Sequence, residues 1–102
     1  MGTGGLAMGK SEKQIEQKLR EEVKKRKGMA LKFVSPGFAG VPDRLLLFKG
    51  GVAAFVELKA PGEKPRKLQT LRIKQIQALG FKAYVVDNTE MIGGILDEIQ
   101  GT

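Results

Sequence analysis

Ile15, Leu19 and Val23 recur every fourth residue among Glu, Lys, Gln and Arg, which predicts an amphipathic helix from Glu12 to about Lys27. Ser11 precedes it with Gln14 three residues on, the arrangement of a capping box, and Gly28 is its natural stop. The pattern then shortens. Met29 to Val34 is a brief apolar run read as a first strand, Asp43 to Phe48 as a second and Val52 to Lys59 as a third. Ser35-Pro36-Gly37-Phe38-Ala39-Gly40-Val41-Pro42 is a loop, and Lys49-Gly50-Gly51 signals a hairpin. After a loop from Ala60 to Pro65, a second helix is predicted from about Arg66 to Leu79, with Leu68, Leu71, Ile76 and Leu79 as its apolar positions and Gly80 as its end. Phe81 to Val86 reads as a fourth strand. Asn88 or Thr89 then caps a last helix that buries Met91, Ile92, Ile95, Leu96 and Ile99. The order is αβββαβα, an α+β fold in which helices flank a central mixed sheet.

One stretch of this pattern is out of place. Val52-Ala53-Ala54-Phe55-Val56-Glu57-Leu58-Lys59-Ala60 reads as a strand through a core, yet it carries an acid and a base. An unpaired charge costs several kcal/mol to bury, about 3–5 once its partner is removed. Of eleven acidic residues, only Asp43 and Glu57 fall on predicted strands; the others lie on helices or in loops, where a solvated face explains them. Strand alternation puts Glu57 and Lys59 on one side. A two-residue turn at Gly50-Gly51 pairs Asp43 with Leu58 and separates the two acids. A three-residue loop, Lys49-Gly50-Gly51, pairs Phe48 with Val52 and sets Asp43 against Glu57, where directly opposed carboxylates repel unless a cation lies between them. In that second case the pair suits a hard divalent cation bound through oxygen. Lys59 would then serve a phosphoryl oxygen or an attacking water, the parts that metal-assisted phosphodiester hydrolysis needs.

Composition narrows the chemistry further. With no Cys and no His, thiol nucleophiles, imidazole bases and the usual zinc ligands are excluded. No disulfide framework is possible, and no stretch is long or apolar enough to span a membrane. A length of 102 residues suits one domain. Residues 1–9, Met-Gly-Thr-Gly-Gly-Leu-Ala-Met-Gly, read as an expression leader with Met8 as a natural start, and 10–102 as a single domain. The net charge of +7 favours a polyanionic partner. Lys24-Lys25-Arg26-Lys27 suits the helix dipole and is one candidate phosphate-facing patch; Lys64, Arg66 and Lys67 form the stronger one.

Gly40-x-Pro42-Asp43-Arg44-Leu45, Glu57-Leu58-Lys59, and Gln69 eleven residues before Gly80 together resemble the PD-(D/E)XK nuclease superfamily, and within it the virus-type replication-repair nuclease (VRR-NUC) family. The resemblance covers roughly Ser11 to Val86. It implies an αβββαβ core and Mg²⁺ or Mn²⁺ as cofactor. Asp43 and Glu57 would be metal ligands together with the backbone carbonyl of Leu58, and Lys59 would face the water or the scissile phosphate. Glu16 would be the helical acid, acting from behind the ligands or on a second metal, and Gln69 would lie beside the active site at the start of the second helix. The implied function is that of an endonuclease acting on branched DNA, a Holliday junction above all, as a homodimer in phage replication or repair, within the cytoplasm of a bacterial host. A flap or other structure-specific nuclease is the alternative, and a basic nucleic-acid-binding module without catalysis is a third reading. Gly93-Gly94, placed mid-helix, would cost about 1 kcal/mol each relative to Ala. A close approach by the sheet or by a second copy would compensate, unless the helix breaks there.

Overall fold

The computed structural model describes residues 11–101, so the segment read as a leader lies outside the described residues. Its elements are α1 (Glu12–Lys25), β1 (Met29–Lys32), β2 (Arg44–Phe48), β3 (Val52–Leu58), α2 (Lys67–Ala78), β4 (Lys82–Val86), a 3₁₀ turn (Thr89–Met91) and α3 (Ile92–Gln100). The sheet runs β1-β2-β3-β4. The first two pairings are antiparallel, and β4 joins β3 in parallel after the α2 crossover. This is the mixed sheet expected.

One face of the sheet carries the core. Leu46, Phe48, Ala54, Val56, Leu58 and Val86 point there, against Ile15, Leu19 and Val23 of α1 and Ile92, Leu96 and Ile99 of α3. Both apolar stripes read from the sequence are therefore the packed ones. The helix ends differ in detail. Ser11 and Gln14 form the capping box, but α1 closes in a Schellman turn at Lys27, not at Gly28. Lys27 N–H donates to Lys24 O at 2.9 Å and Gly28 N–H to Val23 O at 3.0 Å, while Lys27 takes the left-handed φ of 63°. Gly28 is needed for closeness instead: a Cβ there would lie 2.6 Å from Phe48 Cδ1 and 2.7 Å from Leu47 O.

α2 covers the opposite face beside β4, and its orientation departs from the expectation. Leu68, Leu71 and Leu79 are exposed, and the buried positions are Gln69 and Ile73. Gln77, two turns after Gln69, donates from Nε2 to Ala83 O at 2.9 Å. The side of α2 that meets the sheet is thus Gln69, Ile73 and Gln77, where amides bond to the sheet and to a strand-borne acid. Met29 and Leu31 of β1 lie on this same sheet face, which leaves them exposed, while Phe33, Phe55 and Phe81 meet edge to face with centroids 5.6 and 6.0 Å apart.

At the C-terminal end, Asn88 caps the 3₁₀ turn through Met91 N–H, so the α-helix starts only at Ile92. Gly93 and Gly94 consequently occupy its first turn. The helix is unbroken, and a Cβ at either glycine would meet nothing within 4 Å. The Arg26 guanidinium reaches Gly93 O at 3.4 Å, but the sheet does not come within 4 Å of either Cβ position, so the compensation expected from the sheet is absent.

Candidate active site

The hairpin register explains why β3 carries charges at its end. Phe48 pairs with Val52 and Arg44 with Val56, the pairing of a three-residue loop. Gly50 and Gly51 both have positive φ. Continued one step, this register sets Asp43 opposite Glu57, on the sheet face away from the α1–α3 core. Leu58 N–H donates to Asp43 Oδ1 at 3.1 Å, tying the acid of β2 to the end of β3. Lys59 follows on the same face as Glu57, with Nζ 3.3 Å from Glu57 Oε2.

Glu57 is held at two sides. Gln69 Nε2 donates to its Oε2 at 3.0 Å, and Gln69 Oε1 accepts from Arg66 N–H at 2.8 Å at the start of α2. One amide therefore caps a helix and fixes a carboxylate at once, which explains a Gln on the buried side of α2. The other oxygen, Glu57 Oε1, is buried and has no hydrogen-bond partner among the described residues. A buried acceptor left open in this way costs about 1–3 kcal/mol, more when charged.

Both carboxyls are harder to ionise than usual. Burial pushes Glu57 up, the charge of Asp43 adds to it, and Lys59 works in the opposite direction. Burial also raises Asp43, against the Leu58 N–H that favours its charged form, and the negative charge of Glu12 raises it further. A cation between them would remove this repulsion and give the lone pairs of Oε1 a partner. Among the described residues no three acids cluster as a metal cage. Two carboxylates, a strand-end carbonyl and water are nevertheless the set that Mg²⁺ accepts, since it keeps several waters. The residues present fit such an ion.

The two helical acids divide. Glu16, read as the helical acid of the site, forms an ion pair with Arg44. Arg44 follows Asp43 and so points to the opposite, helix-covered face, where it is buried with its Nε unpartnered. Glu12, one turn earlier and treated in the sequence as one more solvated acid, is the helical acid whose charge reaches Asp43. A spacing of four residues puts both on one side of α1, so periodicity alone had no means of choosing between them.

The loop before Asp43 is built against α2. Gly40 has φ 90°, and a Cβ there would lie 2.7 Å from Leu68 Cγ, so two independent demands require glycine at this position. Pro42 beside it is fully buried. Of the basic segments, Lys64, Arg66 and Lys67 are exposed at the entry to α2. In the other segment Lys25 pairs with Glu22 at 3.1 Å, and Arg26 binds Asp97 at 2.7 Å and Gln100 at 3.1 Å. Lys24 and Lys27 are exposed, and Lys24 borders a cleft along α1 together with Lys13, Arg20, Glu16 and Glu21, a groove of mixed sign that contains neither Asp43 nor Glu57.

No protein-family model matches the chain. A protein of Acyrthosiphon pisum secondary endosymbiont phage 1, named "Putative nuclease p44", is 48% identical over 80 residues, which span 78% of this chain and 86% of the phage protein. A solved structure titled "VRR_NUC domain" superposes with a TM-score of 0.78 at 24% identity, covering 84% of this chain and 94% of its own. At that identity the structural likeness speaks for the fold, a mixed sheet with helices on both faces.

Proposed function

The chain belongs to the VRR-NUC family, and on that premise we propose that it is a divalent-metal-dependent endonuclease of branched DNA. The observation that carries this reading is Glu57: one oxygen is clamped by Gln69 and Lys59, and the other is buried and unpartnered, on a side chain that the hairpin register sets opposite Asp43. Most buried side-chain oxygens that serve structure alone have a hydrogen-bond partner.

Asp43, Glu57 and the Leu58 carbonyl would hold Mg²⁺ or Mn²⁺. When bound, the ion supplies Lewis acidity and lowers the pKa of a water. The chain's own residues do the rest. Lys59 carries the ammonium beside Glu57, placed to donate to a non-bridging phosphate oxygen and to stabilise its growing charge in the transition state. Gln69 fixes the Glu57 carboxylate, so little reorganisation is needed as substrate arrives. Glu12 adds negative charge near Asp43 from α1. Glu16 acts at one remove: it neutralises Arg44, the buried cation next to Asp43 that strand alternation turns to the far face of the sheet. Lys64, Arg66 and Lys67 follow β3 directly and form the phosphate-binding segment.

The preferred substrate in this reading is a four-way junction, cut by a homodimer during phage replication or repair. Two symmetric nicks call for two sites related by a two-fold axis. The sheet face that carries Asp43, Glu57 and Lys59 also carries the exposed Met29 and Leu31, which a second copy would cover. Among the described residues no helix is long and apolar enough to cross a membrane. The test is cleavage of linear, flap and four-way DNA in Mg²⁺, in Mn²⁺ and in EDTA. Metal-dependent paired nicks on the junction are expected. Cutting confined to flaps would reassign the substrate, and binding with no cleavage in either metal would leave only a basic nucleic-acid-binding module.

A further inference from the structure

An apolar cleft lies at the far end of α2 from Gln69, lined by Phe38, Val41, Arg72, Gln75, Ile76 and Leu79, with a volume of about 460 Å³. Phe38 stands on its rim half-exposed, at the turn of the loop that ends in Asp43, with the Arg72 guanidinium 3.8 Å from its ring centroid. That guanidinium is pinned: Nε donates to Ala39 O at 2.8 Å and one terminal nitrogen to Gln75 Oε1 at 3.1 Å. Leu79, on the opposite rim, is 77% exposed. Phe38 and Leu79 thus leave apolar area in water, with the Arg72 guanidinium covering part of the Phe38 ring.

We propose that this cleft takes an unstacked nucleobase of the DNA strand held at Asp43 and Glu57, a role that rests on the nuclease reading for its substrate. Three features favour a base over another occupant. The lining, with Ile76 and Val41 in it, is almost wholly apolar, which matches the face of a flat ring. The ring of Phe38, already paired with a guanidinium, is the stacking and cation–π surface that single strands use. Most important, cleft and site share both walls. Val41 is two residues from Asp43, and Arg72 is one helical turn from Gln69, which holds Glu57. Gln69 to Ile76 spans about 10 Å of helix, or at most about three base steps, taking the 3.4 Å spacing of a strand in duplex. A strand cut at Glu57 and running along α2 would therefore present an unpaired base to the cleft within about three nucleotides of the cut. Branched DNA offers such a base at little cost, whereas continuous duplex does not, so the cleft would select junctions and flaps over linear duplex.

The test uses DNA with 2-aminopurine as an unpaired base one, two or three nucleotides from a branch point, titrated with the whole protein in EDTA. Stacking on Phe38 should quench its fluorescence at one of these positions, and Phe38→Trp should keep the quench. Phe38→Ala should abolish it and weaken binding of the branched DNA by about 5- to 100-fold, with a smaller effect on plain duplex. Leu79→Asp, on the exposed opposite rim, should give the same losses and stands in if the alanine variant melts early. Unchanged quench and affinity in both variants would overturn the proposal. So would a shift from dimer to monomer in light scattering with the quench intact, because the cleft would then belong to a second copy. Since binding is read without metal, a protein that captures the base but fails to cut in Mg²⁺ or Mn²⁺ would refute the nuclease reading and leave base capture standing.

Discussion

Glu57 is the residue on which stability and activity pull in opposite directions. Its carboxyl is raised by burial and by Asp43, so the folded protein favours the protonated form more than the unfolded chain does. The linkage then has a definite sign. Stability from this group is fully present below the ordinary carboxylate pKa of about 4.3 and is lost as pH rises through the raised folded value. In EDTA, thermal stability of the wild type relative to Glu57→Gln should therefore decline over that window, and saturating Mg²⁺ should flatten the decline. Glu57→Gln and Asp43→Asn should each abolish cleavage while metal-free stability holds or rises and DNA binding persists. Either variant with full activity in Mg²⁺ would refute the placement of the metal. Lys59→Ala separates roles differently: a rate loss of about 10²–10³-fold is expected when a transition-state donor is removed, with metal affinity nearly retained. A matching loss of metal affinity, read by calorimetry, would make Lys59 only the structural counter-ion of Glu57.

Among the elements, legibility followed how far a local rule settles the geometry. The hairpin was readable because parity leaves two registers, and the charges on β3 made one of them consequential. The stripes of α1 and α3 were readable because apolar burial alone orients them. α2 was misjudged for a physical reason: its inner side is Gln69, Ile73 and Gln77, and a pattern of apolar residues has no way to register amides that bond to Glu57 and to Ala83. Leu68, Leu71 and Leu79, which periodicity alone would place in the core, stand outside with Phe38 as features of the surface. The end of α1 offers a clean test of local rules. Lys27 holds the left-handed position of the Schellman turn, a conformation that costs an L-residue about 1–2 kcal/mol. Lys27→Gly should remove part of that cost, offset by the greater freedom of glycine when unfolded, for a net gain of about 0.5 kcal/mol. The neighbouring change should have the opposite sign: Gly28→Ala forces a methyl onto Phe48 and Leu47, at about 1–3 kcal/mol. Chemical denaturation of both variants checks the pair, and equal effects would refute the division of labour between the two positions.

For the molecule as a whole, the question is how a basic chain with one site per copy could cut two strands. Lys25 and Arg26 are engaged with Glu22 and Asp97, so the DNA path is expected at Lys64, Arg66 and Lys67. Neutralising these three should lower the salt slope of log K by about 0.9 for each phosphate that is no longer neutralised. Gly93 and Gly94 leave open space beside the first turn of α3, which is compatible with a second copy there. The uncovered β1 side of the sheet offers apolar side chains as well, because Met29 is 56% and Leu31 36% exposed on the face that bears Asp43, Glu57 and Lys59. Face-to-face pairing there would relate the two Asp43–Glu57–Lys59 sets by a two-fold axis, both at the same end of it. Met29→Lys combined with Leu31→Glu alters exposed strand positions, so the fold should survive while the dimer separates. Light scattering should then report monomer at micromolar concentration. The paired nicks on a four-way junction should lose their coupling within one binding event, while single cuts on flap DNA continue. If the wild type is itself a monomer, both free and on junction DNA, the resolvase assignment fails. Asp43, Glu57 and Lys59 would then still constitute a single-site nuclease, because nothing in their geometry depends on the second copy.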